Sequence, residues 1–408
     1  MRSALLGLGL LLLASPPASA QKQEDLPKWK VDPYTNNEPD RYKAAGYESY
    51  HRFMVTDQLG TTEVMQALGD LEMIWVETKH FKIGSTLKEI KIGADKIQKE
   101  RIAEEIERLR VKLPELPKKV KKLDPWLRVH LYAQRLEEEY ADIQELLSVT
   151  DESFPTSPGT FINGRYMGEG LYMGQKNKFI VLLTTKKSTL HRFAQRWCDA
   201  NFQADSPVAH NFHAAGCMLY GTSPELADGY FSDDARLHMN LCFGVAVNML
   251  LSYKGYMFDI PIWIKEGIAH CYVNSIDARY HNYSLIKDQF PNEKKLWQWE
   301  PRVRKLVQNE AFIPVSEIMT WTAPDDFRIG HHMNIWSRVD YLIKSDRERF
   351  ASFVGAMKDK FQVYGGTVIT PEMVQERQVK IFQQVYNMTP DEFDQQWSAW
   401  VLETYPKK

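Results

Sequence analysis

Two helical segments of this sequence carry residues whose types and spacing suit a metal site. His238 and Cys242 lie four residues apart in the first segment, and Glu266 and His270 lie four residues apart in the second. Residues at this spacing are neighbours on one face of a helix. A histidine with a ligand at i+4, completed by a glutamate from a following helix, is one way in which zinc hydrolases assemble three protein ligands. His238, Cys242 and Glu266 are therefore candidate zinc ligands, and His270 is suited to supporting Glu266.

The second segment, PIWIKEGIAHCY, resembles the second metal-site helix of the gluzincin peptidases, specifically the peptidase MA-like group. Members of that group typically read P-x-W-L-x-E-G-x-A-x-Y. The matching residues are Pro261, Trp263, Glu266, Gly267, Ala269 and Tyr272, with Ile264 for the leucine and a cysteine inserted before the tyrosine. The resemblance covers about residues 75 to 408 and implies a zinc-peptidase fold in which Glu266 is the third metal ligand.

The first metal helix departs from this family. The H-E-x-x-H motif of the family falls on HMNLC, so that Met239 replaces the catalytic glutamate and Cys242 replaces the second histidine. A thiolate can bind zinc. A thioether cannot take a proton from metal-bound water, and general acid–base catalysis typically contributes roughly 10²–10⁴-fold. His331 and His332, on a later helix, are candidate cleft donors of the kind that related enzymes use, but neither is an evident replacement base.

These replacements lead to two hypotheses. The first is a catalytically inactive (pseudo)peptidase that binds a peptide or protein partner in the cell envelope or acts as an envelope scaffold. The alternative is an unorthodox zinc-dependent hydrolase with His238, Cys242 and Glu266 as metal ligands. Simpler roles also remain open, because a lone helical histidine is usually a hydrogen-bonded core residue and a cysteine is usually a small buried apolar one.

The surrounding sequence, with the resemblance, predicts an α+β fold of the zincin-like (gluzincin) type. Short apolar or alternating runs in ETKHFKIGST, KFIVLLTT and GCMLYGT predict strands. A long helix should begin at Pro125 with Asp124 as its cap, and everything from Asp234 onward reads as helical. The expected architecture is a small mixed sheet, two metal-site helices and a helical C-terminal subdomain.

The chain opens like a secretory signal peptide, assigned to residues 1–20. Arg2 is followed by an apolar run and by the small-residue cleavage site Ala18-Ser19-Ala20. We therefore expect an exported protein, periplasmic or extracellular. Residues 21–74 form an N-terminal region without an assigned role, and residues 75–408 form the peptidase-like domain, with a charged helical insertion at about 88–123.

The charge and the apolar content of the chain limit the kinds of partner that we expect. The 51 basic and 53 acidic residues give a formal net charge of −2, which provides no overall attraction to nucleic acid. No later stretch has the roughly 18 apolar residues of a membrane span.

An exported chain can oxidise its cysteines, and Cys198–Cys217 is the preferred disulfide, with buried thiols as the alternative.

Overall fold

The computed structural model describes residues 26–198, 205–279, 298–323, 327–361 and 368–407. The predicted signal peptide lies outside these residues. The described chain is a mixed α/β protein with a six-stranded mixed sheet and a helical C-terminal part. This confirms the predicted combination of a small mixed sheet with a helical C-terminal region.

The strands of the described residues are β1 (Tyr47–Tyr50), β2 (Met54–Thr56), β3 (Leu59–Gly60), β4 (Ile74–Thr78), β5 (Phe81–Ser85), β6 (Ile90–Lys91), β7 (Lys122–Leu123), β8 (Phe179–Leu183), β9 (Val208–Phe212) and β10 (Cys217–Thr222). The main sheet has the order β1-β4-β5-β8-β10-β9. β8 runs parallel to both β5 and β10, and the other three pairs are antiparallel. The segment ETKHFKIGST, which the sequence predicts as a single strand, is divided between β4 and β5. β5 is buried along its whole length because it is a central strand.

The helices of the described residues are α1 (Pro39–Ala44), α2 (Thr61–Ala67), α3 (Lys96–Lys112), α4 (Pro125–Leu146), α5 (Lys187–Trp197), α6 (Leu226–Gly229), α7 (Asp234–Ser252), α8 (Ile262–Ile276), α9 (Trp299–Gln308), α10 (Val315–Ile318), α11 (Ile329–Ser345), α12 (Arg347–Met357), α13 (Pro371–Tyr386) and α14 (Pro390–Thr404). α4 begins at the predicted residue, because the Asp124 side chain accepts the N–H groups of Trp126 and Leu127, each at 3.0 Å. None of the described helices has the length and apolar character needed to cross a membrane.

The described part of the N-terminal region is built into the main sheet. β1 pairs with β4, where Tyr50 lies opposite Val76. The fully buried Asp32 lies 3.2 Å from Nε2 of His130 on α4, and Nδ1 of His130 lies 2.6 Å from the Tyr47 hydroxyl. Since buried polar groups are retained where they are hydrogen-bonded, this contact ties the N-terminal region to α4.

The predicted insertion at about residues 88–123 contains β6, α3 and β7. Arg135 of α4 is buried and contacts Glu105 of α3 at 2.6 Å and Asp234 of α7 at 2.8 Å. A buried guanidinium between two carboxylates is satisfied by charge-assisted hydrogen bonds. Arg135 therefore holds α3, α4 and the start of α7 together.

The predicted disulfide between Cys198 and Cys217 is not formed, and all four cysteines are thiols. Cys198 directly follows α5 and Cys217 begins β10, and both side chains lie in the hydrophobic core. Burial raises the pKa of Cys217 to about 12. The two cysteines are therefore buried thiols, which is the alternative interpretation of the sequence.

The sheet fixes the orientation of α7. The Tyr220 ring of β10 lies so close to Gly244 that an added Cβ would be only 2.0 Å from it. The Tyr220 hydroxyl donates to Asn240 Oδ1 at 3.1 Å, and Asn248 Nδ2 donates to the carbonyl of Leu219 at 3.1 Å. Because one face of α7 is held against β10 in this way, the direction of every other side chain on the helix is also set.

Candidate functional site

His238 lies on the face of α7 that is turned towards α4. Its ring meets the Tyr132 ring edge-on, with centroids 6.4 Å apart. Burial, together with the positive charges of Arg135 and Arg101, lowers the pKa of His238 well below its usual value. Within the described residues its Nδ1 has no hydrogen-bond partner. The neutral imidazole could bind a metal in principle, but two nearby guanidinium groups disfavour a cation here.

Cys242 lies one turn further along α7 and also faces α4. Its thiol lies beside the buried Glu139 carboxyl group of α4. Burial and the adjacent Glu139 raise the pKa of Cys242 well above its usual value. Zinc binds the thiolate form of cysteine, so this environment opposes the ligand role predicted for Cys242.

Met239 is turned towards α8 instead. It is 2% exposed and packs in a small apolar cluster with Ala235 of its own helix and Val273 of α8. Phe243 and Ile276 pack against the same cluster. The position that would hold the catalytic glutamate of a gluzincin is therefore part of a hydrophobic helix–helix contact.

α8 begins directly after Pro261 and is held by the C-terminal helices. Trp263 is fully buried, and its indole Nε1 donates to Gln378 Oε1 of α13 at 2.9 Å. Gly267 lies against Val339 of α11, where an added Cβ would be 2.4 Å from a valine methyl group. This close approach brings Glu266, the neighbour of Gly267, to the contact between α8 and α11.

Glu266, His270 and His332 form a buried cluster at this contact. One ligand atom from each residue lies within 4.8 Å of the others. His332 Nδ1 lies 3.0 Å from His270 Nε2 and 3.5 Å from Glu266 Oε2. The three residues are 8%, 1% and 5% exposed in chain order. Among the residues that the structure describes, this is the only group of three His, Cys, Asp or Glu side chains close enough to share an ion.

Glu266 is the acidic member of this cluster. Burial raises the pKa of Glu266 to about 7, and the charge of Lys265 lowers it only in part. Within the described chain, Oε2 of Glu266 accepts no hydrogen bond. A buried carboxylate oxygen without a hydrogen-bond donor is unfavourable in the absence of a charged partner. Glu266 is therefore placed for a cation or a proton.

His331 has a different role from its neighbour His332. Its Nδ1 accepts the backbone N–H of Arg328 at 2.9 Å, which caps the start of α11. Its ring lies over the Phe327 ring, with centroids 5.5 Å apart and planes inclined by 13°. Only His332 of the predicted pair belongs to the cluster.

The structure thus separates the three predicted zinc ligands. His238 and Cys242 face α4, whereas Glu266 joins His270 and His332 between α8 and α11. His238, Cys242 and Glu266 are therefore not brought together as one ligand set for a zinc ion, because among the described residues their ligand atoms do not all lie within 4.8 Å of one another. The spacing of Glu266 and His270 in the sequence was a usable signal for two members of this cluster.

We expect Gly267→Ala to lower the free energy of unfolding by about 1–3 kcal/mol, because an added methyl group forces α8 away from α11. Urea denaturation followed by circular dichroism measures this change. Gly330→Ala in α11 is the matched control, since a Cβ there meets nothing within 4 Å, and it should leave stability unchanged or slightly raised. Equal stability of Gly267→Ala and the wild type would show that the two helices do not pack this closely.

Comparisons of this chain with protein-family models, with curated proteins and with solved structures give no match.

Proposed function

We propose that this protein is an exported, peptidase-like protein of the gluzincin type that does not cleave peptide bonds and instead binds a peptide or protein partner in the cell envelope. Export rests on the signal-peptide features of residues 1–20, and the gluzincin assignment rests on the PIWIKEGIAHCY resemblance. The absence of cleavage rests on the chemistry of α7.

The proposal depends most on the apolar surroundings of the Met239 side chain. Its side chain is enclosed by Ala235, Val273 and the partly buried Phe243 and Ile276. A thioether has no proton to exchange at neutral pH, and the side chains that pack against Met239 are apolar and offer no base in its place. The step for which a zinc peptidase needs a general base therefore has no base at this position.

The directions of the metal-site residues support the same proposal. His238 and Cys242 point towards α4, while Glu266 points towards His332 of α11. The alternative hypothesis, an unorthodox zinc hydrolase with these three residues as ligands, would require α7 to rotate. Such a rotation is opposed by the contact of Gly244 with Tyr220 and by the hydrogen bond from Tyr220 to Asn240.

The test uses a large mixture of defined peptides and the purified mature protein with added zinc. The immobilised protein is incubated with the mixture, and both the retained and the unbound peptides are identified by mass spectrometry. We expect a subset of peptides to be retained with both termini intact and no new termini in the unbound fraction. Protein unfolded by heat before immobilisation controls for non-specific adsorption.

New peptide termini that require zinc and vanish in the Glu266→Gln variant would contradict the proposal in favour of a metal-dependent hydrolase. Retention of no peptide above the unfolded control would contradict the peptide-binding part of it. The Glu266→Gln substitution suits this test because it keeps the size of the side chain while it removes the negative charge.

A further inference from the structure

We infer that Glu266, His270 and His332 bind a divalent transition-metal ion, with zinc as the best fit, and that this ion joins α8 to α11. The inference goes beyond the proposed function, since it holds whether or not a peptide binds. It also replaces the ligand set expected from the sequence, because it keeps only Glu266 of the three.

The distances between the ligand atoms suit a shared ion. Two ligands at zinc-like bond lengths in a tetrahedral site are separated by roughly 3.3–3.5 Å. His332 Nδ1 lies 3.0 Å from His270 Nε2 and 3.5 Å from Glu266 Oε2. These two separations are within a few tenths of an ångström of the expected value, and the third, between Glu266 and His270, is no more than 4.8 Å. An ion shared by the three groups would replace the hydrogen bond between the two imidazole nitrogens.

The helical positions also suit a site of this kind. Glu266 and His270 are one turn apart on α8, which is the spacing that presents two ligands to one ion. His332 comes from α11, 62 residues after His270 in the chain, and it completes the set from the opposite side. The close packing of Gly267 against Val339 holds the two helices at the required separation.

The donor types select the class of ion. Two imidazole nitrogens and one carboxylate suit zinc and its first-row neighbours, whereas calcium and magnesium prefer oxygen ligands only. The cluster contains no sulfur, so it does not favour soft ions such as Cu(I). Three protein ligands leave a coordination position for water or for a group of a binding partner.

The surroundings of the cluster are apolar and aromatic. The His270 ring lies 5.0 Å from the Phe243 ring and 5.2 Å from the Trp299 ring, centroid to centroid, and the His332 ring lies 5.4 Å from that of Phe327. Rings packed in this way restrict the rotation of both imidazoles. In such a setting the negative charge of Glu266 is best balanced by a cation held directly between the three side chains.

The experiment titrates zinc into the full mature protein after removal of bound metal with a chelator. Calorimetry gives stoichiometry and affinity, and elemental analysis gives the metal content after dialysis. We expect the wild type to bind one zinc per chain. His332→Ala should lower the affinity for zinc by about 100-fold or more, which is a larger loss than the removal of a residue that only supports a metal ligand would cause. The matched control His331→Ala, one residue away, should bind as the wild type does.

Two further readouts separate this site from the set expected from the sequence. Cobalt(II) in place of zinc should give a spectrum without a sulfur-to-metal charge-transfer band, and Cys242→Ser should leave that spectrum unchanged. Added zinc should raise the melting temperature of the wild type and of His238→Ala, but not that of His332→Ala. If His332→Ala does not fold, His270→Gln serves in the same measurements.

Absence of stoichiometric zinc in the wild type would overturn the inference. Loss of zinc binding in His238→Ala or Cys242→Ser, with binding retained in His332→Ala, would overturn it in favour of the ligand set expected from the sequence. Neither result depends on peptide cleavage or retention, so a failure here is distinct from a failure of the proposed function.

Discussion

Met239→Glu is expected to lower the free energy of unfolding by about 3 kcal/mol at pH 8, because it buries an ionisable carboxylate without a partner. Met239 is 2% exposed between Ala235 and Val273, and none of these neighbours can donate a hydrogen bond from its side chain. Urea denaturation followed by circular dichroism measures the change. The same substitution introduces the glutamate that the H-E-x-x-H motif has at this position, so it also tests whether α7 can work as a peptidase helix.

Met239→Leu is the matched control, and it should cost less than about 1.5 kcal/mol because it preserves apolar volume. The cost of Met239→Glu should shrink as the pH falls. Burial raises the pKa of the introduced carboxyl group above its unfolded value, so the penalty is present at high pH and fades as the pH falls below the folded pKa. A variant as stable as the wild type would show that position 239 lies in an open cleft, contrary to the structure.

Arg338→Ala is expected to lower the free energy of unfolding by about 3–5 kcal/mol, because it leaves a buried carboxylate without its partner. Arg338 of α11 is fully buried and lies 2.8 Å from Asp394 of α14. Its guanidinium group also donates to the carbonyl of Ile313 at 2.5 Å and lies 3.9 Å from the centre of the Trp397 ring. Chemical denaturation, monitored by tryptophan fluorescence, measures the loss.

The control for this prediction is an ion pair in which both side chains are exposed. Arg347 of α12 contacts Glu145 of α4 at 2.7 Å, and the two side chains are 43% and 70% exposed. Arg347→Ala should therefore change stability by less than about 1 kcal/mol. The double variant Arg338→Met with Asp394→Leu should recover most of the loss, since it leaves no unpaired charge. A small effect of Arg338→Ala alone would mean that α14 is not held to α11 by this pair.

Several elements of the fold could be predicted because the residues that specify them lie next to one another in the sequence. Asp124 and Pro125 mark the start of α4, since a capping carboxylate and a first-turn proline act on the residues next to them. The strands β8 and β10 follow from short apolar runs. The division of ETKHFKIGST between β4 and β5 could not be predicted from alternation alone, because both strands of a tight antiparallel pair continue the same apolar pattern.

The candidate site was predicted only in part. Helical spacing correctly identified which residues share a face, namely His238 with Cys242 and Glu266 with His270. Helical spacing could not identify which other element of the fold packs against each of these faces. Met239 directly follows His238 and therefore points about 100° further around the helix. This rotation is enough to place Met239 against α8 while His238 lies against α4.

The sequence by itself determined several helices, the residue pairs that lie one turn apart, and the presence of a methionine, which cannot exchange protons, directly after His238. Only the tertiary structure decided that Glu266 meets His270 and His332 rather than His238 and Cys242. The physical reason is that spacing along a helix fixes relative directions within that helix alone. The absolute direction of α7 is set by contacts with β10, and that of α8 by contacts with α11 and α13, all of which are distant in the chain.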